Sequence, residues 1–461
     1  MLGNDTKFGR FAQTRCFGTT AGALASRLVD GIGRRHVDMS EHQQEERNRA
    51  EPNERAIACP HCGTLQSLGE IPPKSAAVCP TCGNPLERTR GRSIAAALAC
   101  AVATFLLLLP ANLLPLMQIS LLGLSRESHI MSGITTVWVH QWVIIAPLVF
   151  TFVVALPIVR YGLLSTVLTH VLLGRHPSWL GAAFRWGQHL DPWSMPEVFL
   201  IGCAIGYSRV AVNLPVTIHW GGTCLIAAAF LAMITRVLLD RRTVWRALRA
   251  EHPLPPDDAP VIGCVVCDMV VGAEFEGGRC PRCRARLTAR KPNAVTYTIA
   301  LILAALLLYL PANIYPMSSD VQLGERVPHR IFDGIRELFQ AGLWPLGLLI
   351  FCSSIAIPVL KIAALGWFVL SIRCRSTRHL RLKCRLYRLI DEIGRWSNVD
   401  VFTIAVFVPL LQFGALATAS ASAGAPAFIL VVVFTMLATR LFDPRLMWDA
   451  ALVRTSTEHT T

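Results

Sequence analysis

Long apolar blocks alternate with short arginine-rich blocks along this chain. A helix that spans a bilayer needs about 20 mostly apolar residues. Eight blocks reach that length, although the third contains Arg209. The pattern therefore predicts eight membrane-spanning helices, over residues 94–117, 141–165, 195–216, 219–239, 294–317, 341–370, 398–418 and 425–443.

The basic residues are distributed unevenly between the connecting segments. Segments 240–250 and 372–396 are rich in arginine, whereas 118–138 contains only Arg126 and 419–424 contains no basic residue. Arginine-rich and lysine-rich loops stay on the cytoplasmic side of a membrane protein. We therefore predict that both chain termini are cytoplasmic and that the segment 118–138 faces the periplasm.

The cysteines indicate metal binding. Of the 15 cysteines, eight form Cys-x-x-Cys pairs: Cys59, Cys62, Cys79, Cys82, Cys264, Cys267, Cys280 and Cys283. Two neighbouring pairs supply four thiolates, which complete a tetrahedron around zinc and leave no position open for water. We therefore predict two structural Zn²⁺ sites, both cytoplasmic, in a reducing compartment. The alternative, a metal-free and redox-active dithiol, stays open.

The chain contains an internal repeat with a period of about 200 residues. Leu-Pro-Ala-Asn at 109–112 recurs at 310–313, and Trp-Ser-x-x-Glu-Val-Phe at 193–199 recurs at 396–402 with Asp in place of Glu. Four helices return the chain to the side from which it started, so both copies insert in the same orientation. The predicted fold is an all-α polytopic membrane protein with two parallel four-helix transmembrane repeats, each preceded by a small cytoplasmic zinc ribbon.

These features predict the following domain order. A disordered cytoplasmic tail is expected because the first residues are polar and lack a sustained apolar run. The order is the tail (1–56), ribbon 1 (57–90), transmembrane repeat 1 (91–250), ribbon 2 (260–290), transmembrane repeat 2 (291–448) and a C-terminal tail (449–461).

Composition agrees with a membrane protein. The chain of 461 residues is 53% hydrophobic and 16% charged, whereas soluble domains carry about 25% charged residues. The formal net charge is +14, but the arginines lie next to apolar segments, so topology and anionic lipid headgroups explain them. We expect membrane lipids and no nucleic acid as partners. The sequence contains no P-loop, GxGxxG, HExxH or GxSxG motif, and we expect no enzymatic activity.

Charged residues inside the predicted helices are candidates for a functional pocket. Lys361 lies in the sixth helix, and Asp400 lies near the start of the seventh. Ser354 precedes Lys361 by two helical turns and Ser397 precedes Asp400 by three residues, so each serine shares a helix face with its charged neighbour. Charges at such depth are costly and usually face a partner or a water-filled cavity.

The same order of base and acid recurs in the first repeat as Arg160 and Glu197. We predict a transport pocket that handles a lipid headgroup or a proton. The alternative for each pair is a structural ion pair that holds two helices together.

These motifs together resemble the paraquat-inducible protein A family. The resemblance rests on the two ribbons, the two repeats, the LPAN-x-x-P motif and the WSxx[DE]VF motif, and it covers residues 57–450. It implies a multi-pass protein of the inner membrane of a Gram-negative bacterium, which works beside MCE-domain proteins that form a hydrophobic tunnel across the periplasm. The long N-terminal tail and Glu197, opposite Asp400, depart from the family pattern.

Three functions compete at this point. The first is an inner-membrane subunit that passes lipids between the inner membrane and a periplasmic MCE-protein tunnel, and so maintains the outer-membrane barrier. The second is an envelope-stress or redox sensor that uses the Cys-x-x-Cys pairs. The third is a passive membrane anchor for a partner. Polar residues at matched positions favour transport over the anchor, and the four-cysteine spacing favours structural zinc over a redox switch.

Overall fold

The computed structural model describes residues 56–68, 75–88, 93–121, 124–139, 145–211, 215–248, 260–322, 325–399, 402–403 and 417–458. Almost all of the predicted N-terminal tail, Asp400 and most of the predicted helix 398–418 lie outside the described residues. The described part is mostly helical, as the sequence predicts. We call residues 93–248 the first half and residues 291–458 the second half.

The helices carry most of the apolar sequence. In chain order they are α1 (Ile94–Leu113), α2 (Ile130–Val139), α3 (Ile145–Val149), α4 (Leu156–Leu172), α5 (Leu180–Leu190), α6 (Pro196–Ala211), α7 (Trp220–Leu238), α8 (Arg241–Ala247), α9 (Ala294–Ile314), α10 (Ile331–Gln340), α11 (Trp344–Phe351), α12 (Ile357–Arg373), α13 (Leu380–Ile393), α14 (Gly424–Leu441) and α15 (Arg445–Glu458).

Six stretches of helix within the described residues are long and apolar enough to cross a membrane. They are Ile94–Leu113, Ala146–Leu172, Trp220–Leu238, Ala294–Ile314, Trp344–Arg373 and Gly424–Leu441, and each overlaps one of the eight predicted spans. The third predicted span is observed as the shorter apolar helix α6. The protein is therefore a multi-pass membrane protein.

A π turn lies within the second and the fifth of these stretches. Phe150–Ala155 joins α3 to α4, and Cys352–Ala356 joins α11 to α12. Each turn precedes a proline in the first turn of the next helix, Pro157 or Pro358. A proline ring clashes with the carbonyl four residues earlier, and the wider π turn gives the ring room. The apolar helix therefore continues past the proline.

Each half is built around one pair of long helices that pack along each other. α1 packs on α7 in the first half, and α9 packs on α14 in the second. Small side chains are completely buried in the core that contains the first pair, including Ala97 and Ala101 on α1 and Ala228 and Ala232 on α7. Small residues let helix backbones approach closely, which favours packing between apolar helices in a membrane.

Short antiparallel strands lie at both ends of the helical bundle. They are β1 (Ala56–Ala58), β2 (Leu65–Ser67), β3 (Ala76–Val78), β4 (Pro85–Arg88), β5 (Met117–Leu121), β6 (Leu124–Ser128), β7 (Val216–Ile218), β8 (Val261–Gly263), β9 (Val270–Gly272), β10 (Ser318–Gln322), β11 (Glu325–His329) and β12 (Ala417–Ala421). Three hairpins, β1-β2, β3-β4 and β8-β9, belong to the cysteine ribbons. We call this the ribbon end.

The opposite end, which we call the sheet end, carries two three-stranded sheets. Their strand orders are β6-β5-β7 and β11-β10-β12, so the first strand after α1 or α9 is central in each. β5 pairs with β6 from Met117↔Ser128 to Leu121↔Leu124. The prediction of an all-α fold did not include these sheets, because their strands are short and each central strand pairs with a strand about 100 residues later.

Buried side chains connect ribbon 1 to the second half and ribbon 2 to the first half, although ribbon 1 directly precedes the first half in the sequence and ribbon 2 the second. One core joins ribbon 2 to the first half through Leu180, Phe184 and Trp245. Another joins ribbon 1 to the second half through Phe368, Tyr387 and Phe442. The buried cores of the ribbons are therefore exchanged between the halves, while Glu87 of ribbon 1 also pairs with Arg246 of the first half and Arg290 of ribbon 2 pairs with Asp449 of the second.

Candidate functional site

Each ribbon brings four cysteine sulfurs together. In ribbon 1 the Sγ atoms of Cys59 and Cys82 lie 3.5 Å apart, and those of Cys62 and Cys79 lie 3.6 Å apart. In ribbon 2 the corresponding distances are 3.5 Å from Cys264 to Cys283 and 3.6 Å from Cys267 to Cys280. All four sulfurs of each set lie within 4.8 Å of one another and are buried.

A left-handed residue closes each cysteine knuckle. Gly63 and Gly83, with φ of 78° and 71°, donate their N–H groups to the carbonyls of Cys59 and Cys79 at 2.8 Å. In ribbon 2 the same positions hold Asp268 and Arg284, at φ of 59° and 58°. Aspartate tolerates this conformation better than most non-glycine residues, whereas arginine adopts it at a cost.

The cysteine sets fit a tetrahedral metal ion. A Zn–S bond of about 2.3 Å gives S···S edges of about 3.8 Å in a tetrahedron, close to the observed spacing. Hydrogen bonds from the neighbouring thiols, Cys59 foremost, lower the pKa of Cys62 well below that of a free thiol. Hydrogen bonds led by that from Cys264 do the same for Cys280. Each set therefore offers four buried sulfurs at the spacing of a tetrahedral metal site.

A network of charged residues lies inside the first half. Arg160, which is 3% exposed, forms an ion pair with Asp191, at the end of α5. Arg236 from α7 also binds Asp191, at 3.0 Å, and pairs with Glu197 from α6. Arg241 reaches the second oxygen of Asp191 at 3.2 Å. Asp191 is thus shared by three guanidinium groups.

Backbone and ring contacts complete this first-half network. Arg236 Nη2 donates to the carbonyls of Asp191 and Ser194, at 3.2 and 3.1 Å. Arg160 Nη1 donates to the Tyr161 hydroxyl at 3.0 Å. Charged groups from five helical segments, α4 to α8, therefore meet in this network.

The corresponding place in the second half is different. Lys361 is 1% exposed, and its Nζ donates to the carbonyl of Gly394 at 2.9 Å and to Ser397 Oγ at 3.3 Å. Both partners are neutral. A small cavity beside Lys361 is also lined by Asp391, Met436 and Arg440. A buried ammonium group therefore borders a small cavity that a carboxylate, Asp391, also lines.

The repeat explains this difference. Asp191 stands two residues before Trp193, and Gly394 stands two residues before Trp396 in the matching motif. The first half thus offers a carboxylate where the second half offers only a backbone carbonyl. A side chain at residue 394 would also crowd Lys361, because a Cβ there would lie 3.1 Å from Lys361 Cε.

The structure places the predicted pocket residues as follows. Ser397 contacts Lys361, whereas Ser354 is buried and donates to the carbonyl of Ile350 at 2.7 Å. The π turn that carries Ser354 packs on the segment 394–398, which carries Ser397. Asp400, the predicted partner of Lys361, lies outside the described residues.

Sequence reasoning missed three members of the first-half network. Arg160 and Glu197 both belong to it, but each has a different ion-pair partner, Asp191 or Arg236. Arg236 could have been found from the repeat, since Thr-Arg at 235–236 recurs at 439–440. Arg241 likewise recurs as Arg445, whereas Asp191 carried no such signal, since the second half has Gly394 at its position.

Comparison with protein families agrees with this architecture. The sequence model described as paraquat-inducible protein A matches residues 94–249 and, again, residues 295–451. No solved structure matches the chain.

Curated relatives match along most of the chain. The intermembrane transport protein PqiA of Escherichia coli is 30% identical over 408 residues, which cover 85% of this chain and 95% of that protein. The lipophilic envelope-spanning tunnel protein A of Escherichia coli is 30% identical over 397 residues, covering 85% of this chain and 91% of that protein. A probable intermembrane transport protein of Haemophilus influenzae is 24% identical, over 86% of this chain and 96% of that protein. The chain therefore belongs to the paraquat-inducible protein A family.

Proposed function

We propose that this protein is the inner-membrane subunit of a lipid-trafficking system. It passes lipids between the inner membrane and a periplasmic tunnel made by an MCE-domain protein, and so maintains the outer-membrane barrier. The observation that carries the proposal is Lys361, a buried ammonium group with neutral partners beside a cavity. Names of relatives, which refer to intermembrane transport and an envelope-spanning tunnel, support the same class of function.

The chemistry of Lys361 suits a transport pocket. A charge inside an apolar bundle is costly unless it meets an anion or water. A lipid phosphate brought beside Lys361 would supply an anion in addition to Asp391, which lines the same small cavity, and loss of a proton from the amine would remove the cost. We propose that Lys361, Ser397, Ser354 and Asp400 form this pocket, and that the network of Arg160 and Glu197 in the first half is structural.

The proposed architecture has two parallel four-helix repeats in the inner membrane, with 91–250 as the first and 291–448 as the second. The tail 1–56, both ribbons (57–90 and 260–290) and the tail 449–461 are cytoplasmic, and each ribbon binds one structural Zn²⁺. Reporter fusions after residues 125, 250, 325 and 385 should report outside, inside, outside and inside. A periplasmic signal at 385 would contradict this topology.

The alternatives make different demands on the ribbons and the pocket. A redox sensor needs accessible thiols that exchange between dithiol and disulfide, whereas each ribbon buries its four sulfurs at the spacing of a metal site. A passive anchor needs no buried ammonium group inside the bundle. Transport therefore accounts for more of the described features than either alternative.

Lys361→Met tests the proposal, with Lys383→Met as the matched control. Both lysines are 1% exposed and lie in or beside the same helical hairpin, but Lys383 is on α13 and bonds Ser371 and Ser376. In a strain that depends on this protein for resistance to detergent, Lys361→Met should reach normal membrane abundance and fail to protect, whereas Lys383→Met should protect. Full protection by Lys361→Met would exclude a headgroup or proton role for this residue.

The proposed partner is tested separately. Photo-crosslinkers placed in β6 and β11 at the sheet end should trap the MCE-domain protein, because these edge strands belong to the predicted periplasmic face. The same crosslinkers in the ribbons should not. Crosslinks to the MCE-domain protein from the ribbons, but not from β6 or β11, would contradict a partner on the periplasmic face.

A further inference from the structure

Ribbon 1 is bonded to α13 of the second half. Arg381 donates from Nε to the carbonyl of Thr81 at 2.9 Å and from Nη2 to that of Pro80 at 3.1 Å. Arg388, two turns further along α13, donates to Asn84 Oδ1 at 3.1 Å. These acceptors belong to the second cysteine knuckle, so the geometry of the metal site sets where they lie.

A ring contact extends this interface into the core of the second half. His61, between the first two cysteines, packs edge-on against Tyr387 with ring centroids 5.9 Å apart. Tyr387 is buried, and its hydroxyl donates to the carbonyl of Thr439 on α14 at 3.0 Å. Ribbon 1 thus contacts α13 directly and is linked to α14 through Tyr387.

The contacted helix leads directly to the polar pocket. α13 ends at Ile393 and continues as a 3₁₀ turn over Gly394–Asn398. That turn supplies both neutral partners of Lys361, the carbonyl of Gly394 and the hydroxyl of Ser397. A displacement of α13 would therefore move the partners of Lys361.

Ribbon 2 packs closely on α5 of the first half. At Gly181 on α5, a Cβ would lie 2.0 Å from the carbonyl oxygen of Arg282, in the second knuckle of ribbon 2. Arg242 on α8 adds an ion pair to Asp268 at 3.4 Å. Only glycine at residue 181 allows this contact.

We propose that ribbon 1 holds α13 of the second half and that ribbon 2 holds α5 of the first half. Through α13, ribbon 1 positions Gly394 and Ser397 against Lys361. Arg381 and Arg388 are the positioning residues of this contact. The proposal rests on metal binding by the ribbons and not on lipid transport. It predicts that damage to ribbon 1 loosens the second half and that damage to ribbon 2 loosens the first half.

Amide hydrogen exchange of the full-length protein in nanodiscs tests this pairing of ribbons with halves. Arg381→Ala with Arg388→Ala should speed amide exchange roughly tenfold across 380–398, as expected for the loss of charge-assisted hydrogen bonds. Metal content should stay at two per chain and the unfolding temperature should change little. The matched control, Arg378→Ala with Arg385→Ala, removes the same charge from exposed positions and should leave this exchange unchanged.

Ribbon 2 gives the reciprocal measurement. Gly181→Ala should speed exchange across 180–190 and leave 380–398 unchanged, and Cys264→Ser should do the same. Cys59→Ser should show the opposite pattern. Faster exchange in the half that directly follows the damaged ribbon in the sequence, in place of the other half, would overturn the proposal. Unchanged exchange at 394–398 in the double arginine variant would also overturn it. If the cysteine variants do not accumulate, the arginine and glycine variants, which keep all metal ligands, still decide the question.

Discussion

The backbone of Gly394 lies in contact with the side chain of Lys361. The carbonyl oxygen accepts a hydrogen bond from Nζ at 2.9 Å, and a Cβ at residue 394 would lie 3.1 Å from Lys361 Cε. The first half has an aspartate at the matching position, where it neutralises Arg160. The two halves therefore share a repeat pattern but differ in charge balance at the same place.

Gly394→Asp should convert the second half to the charge balance of the first. The new carboxylate would lie beside Lys361 and pair with it, so we expect normal membrane abundance and loss of detergent resistance. Gly394→Ala is the control, because its Cβ meets only the flexible end of the lysine and adds no charge. Detergent resistance of the aspartate variant equal to wild type would show that a paired Lys361 still functions.

Asp191→Asn should strongly destabilise the protein. It leaves Arg160 buried with its charge uncompensated, a change that costs about 3–5 kcal/mol in the free energy of unfolding. Arg241→Ala removes a partner whose side chain is 58% exposed and should cost less than about 1 kcal/mol. Thermal unfolding of both purified variants measures the difference. Equal effects would contradict a central role for Asp191.

Cys264→Ser should lower the zinc content from two to one per chain, since one complete four-cysteine set remains. Protein abundance should fall as well, because a structural metal contributes folding free energy to a module with a small core. Cys374→Ser is the control, since that cysteine is exposed and outside both sets. Metal analysis of purified protein provides the measurement. A zinc content near zero in the unmodified protein would exclude the structural-zinc proposal.

Lys383 should make stability depend on alkaline pH. Burial lowers the pKa of its ammonium group below the value of an ordinary lysine, so the unfolded chain binds more protons than the folded chain between the lowered pKa and about 10.4. Stability should therefore rise with pH through this window, and Lys383→Met should remove that rise. The Lys383 side chain also lies over the Trp367 ring, with Nζ 5.6 Å from its centroid. An unchanged pH dependence of unfolding in the methionine variant would assign the effect elsewhere.

Local sequence patterns determined much of this molecule. The six observed apolar helices follow from the length of each apolar block, because the transfer of a helix into a bilayer depends mainly on its own side chains. The two cysteine centres follow from Cys-x-x-Cys spacing, since each knuckle is formed by consecutive residues. The family was likewise predictable from short motifs and is confirmed by the comparison.

The tertiary structure alone decided which of these local elements meet. Arg160 pairs with Asp191, and ribbon 1 bonds α13 of the second half, far from it in the sequence, as well as Arg246 of the first half that follows it. These contacts join residues up to 305 positions apart. They depend on how helices pack and which charges become buried together, and a charge pattern read along the chain does not contain that information.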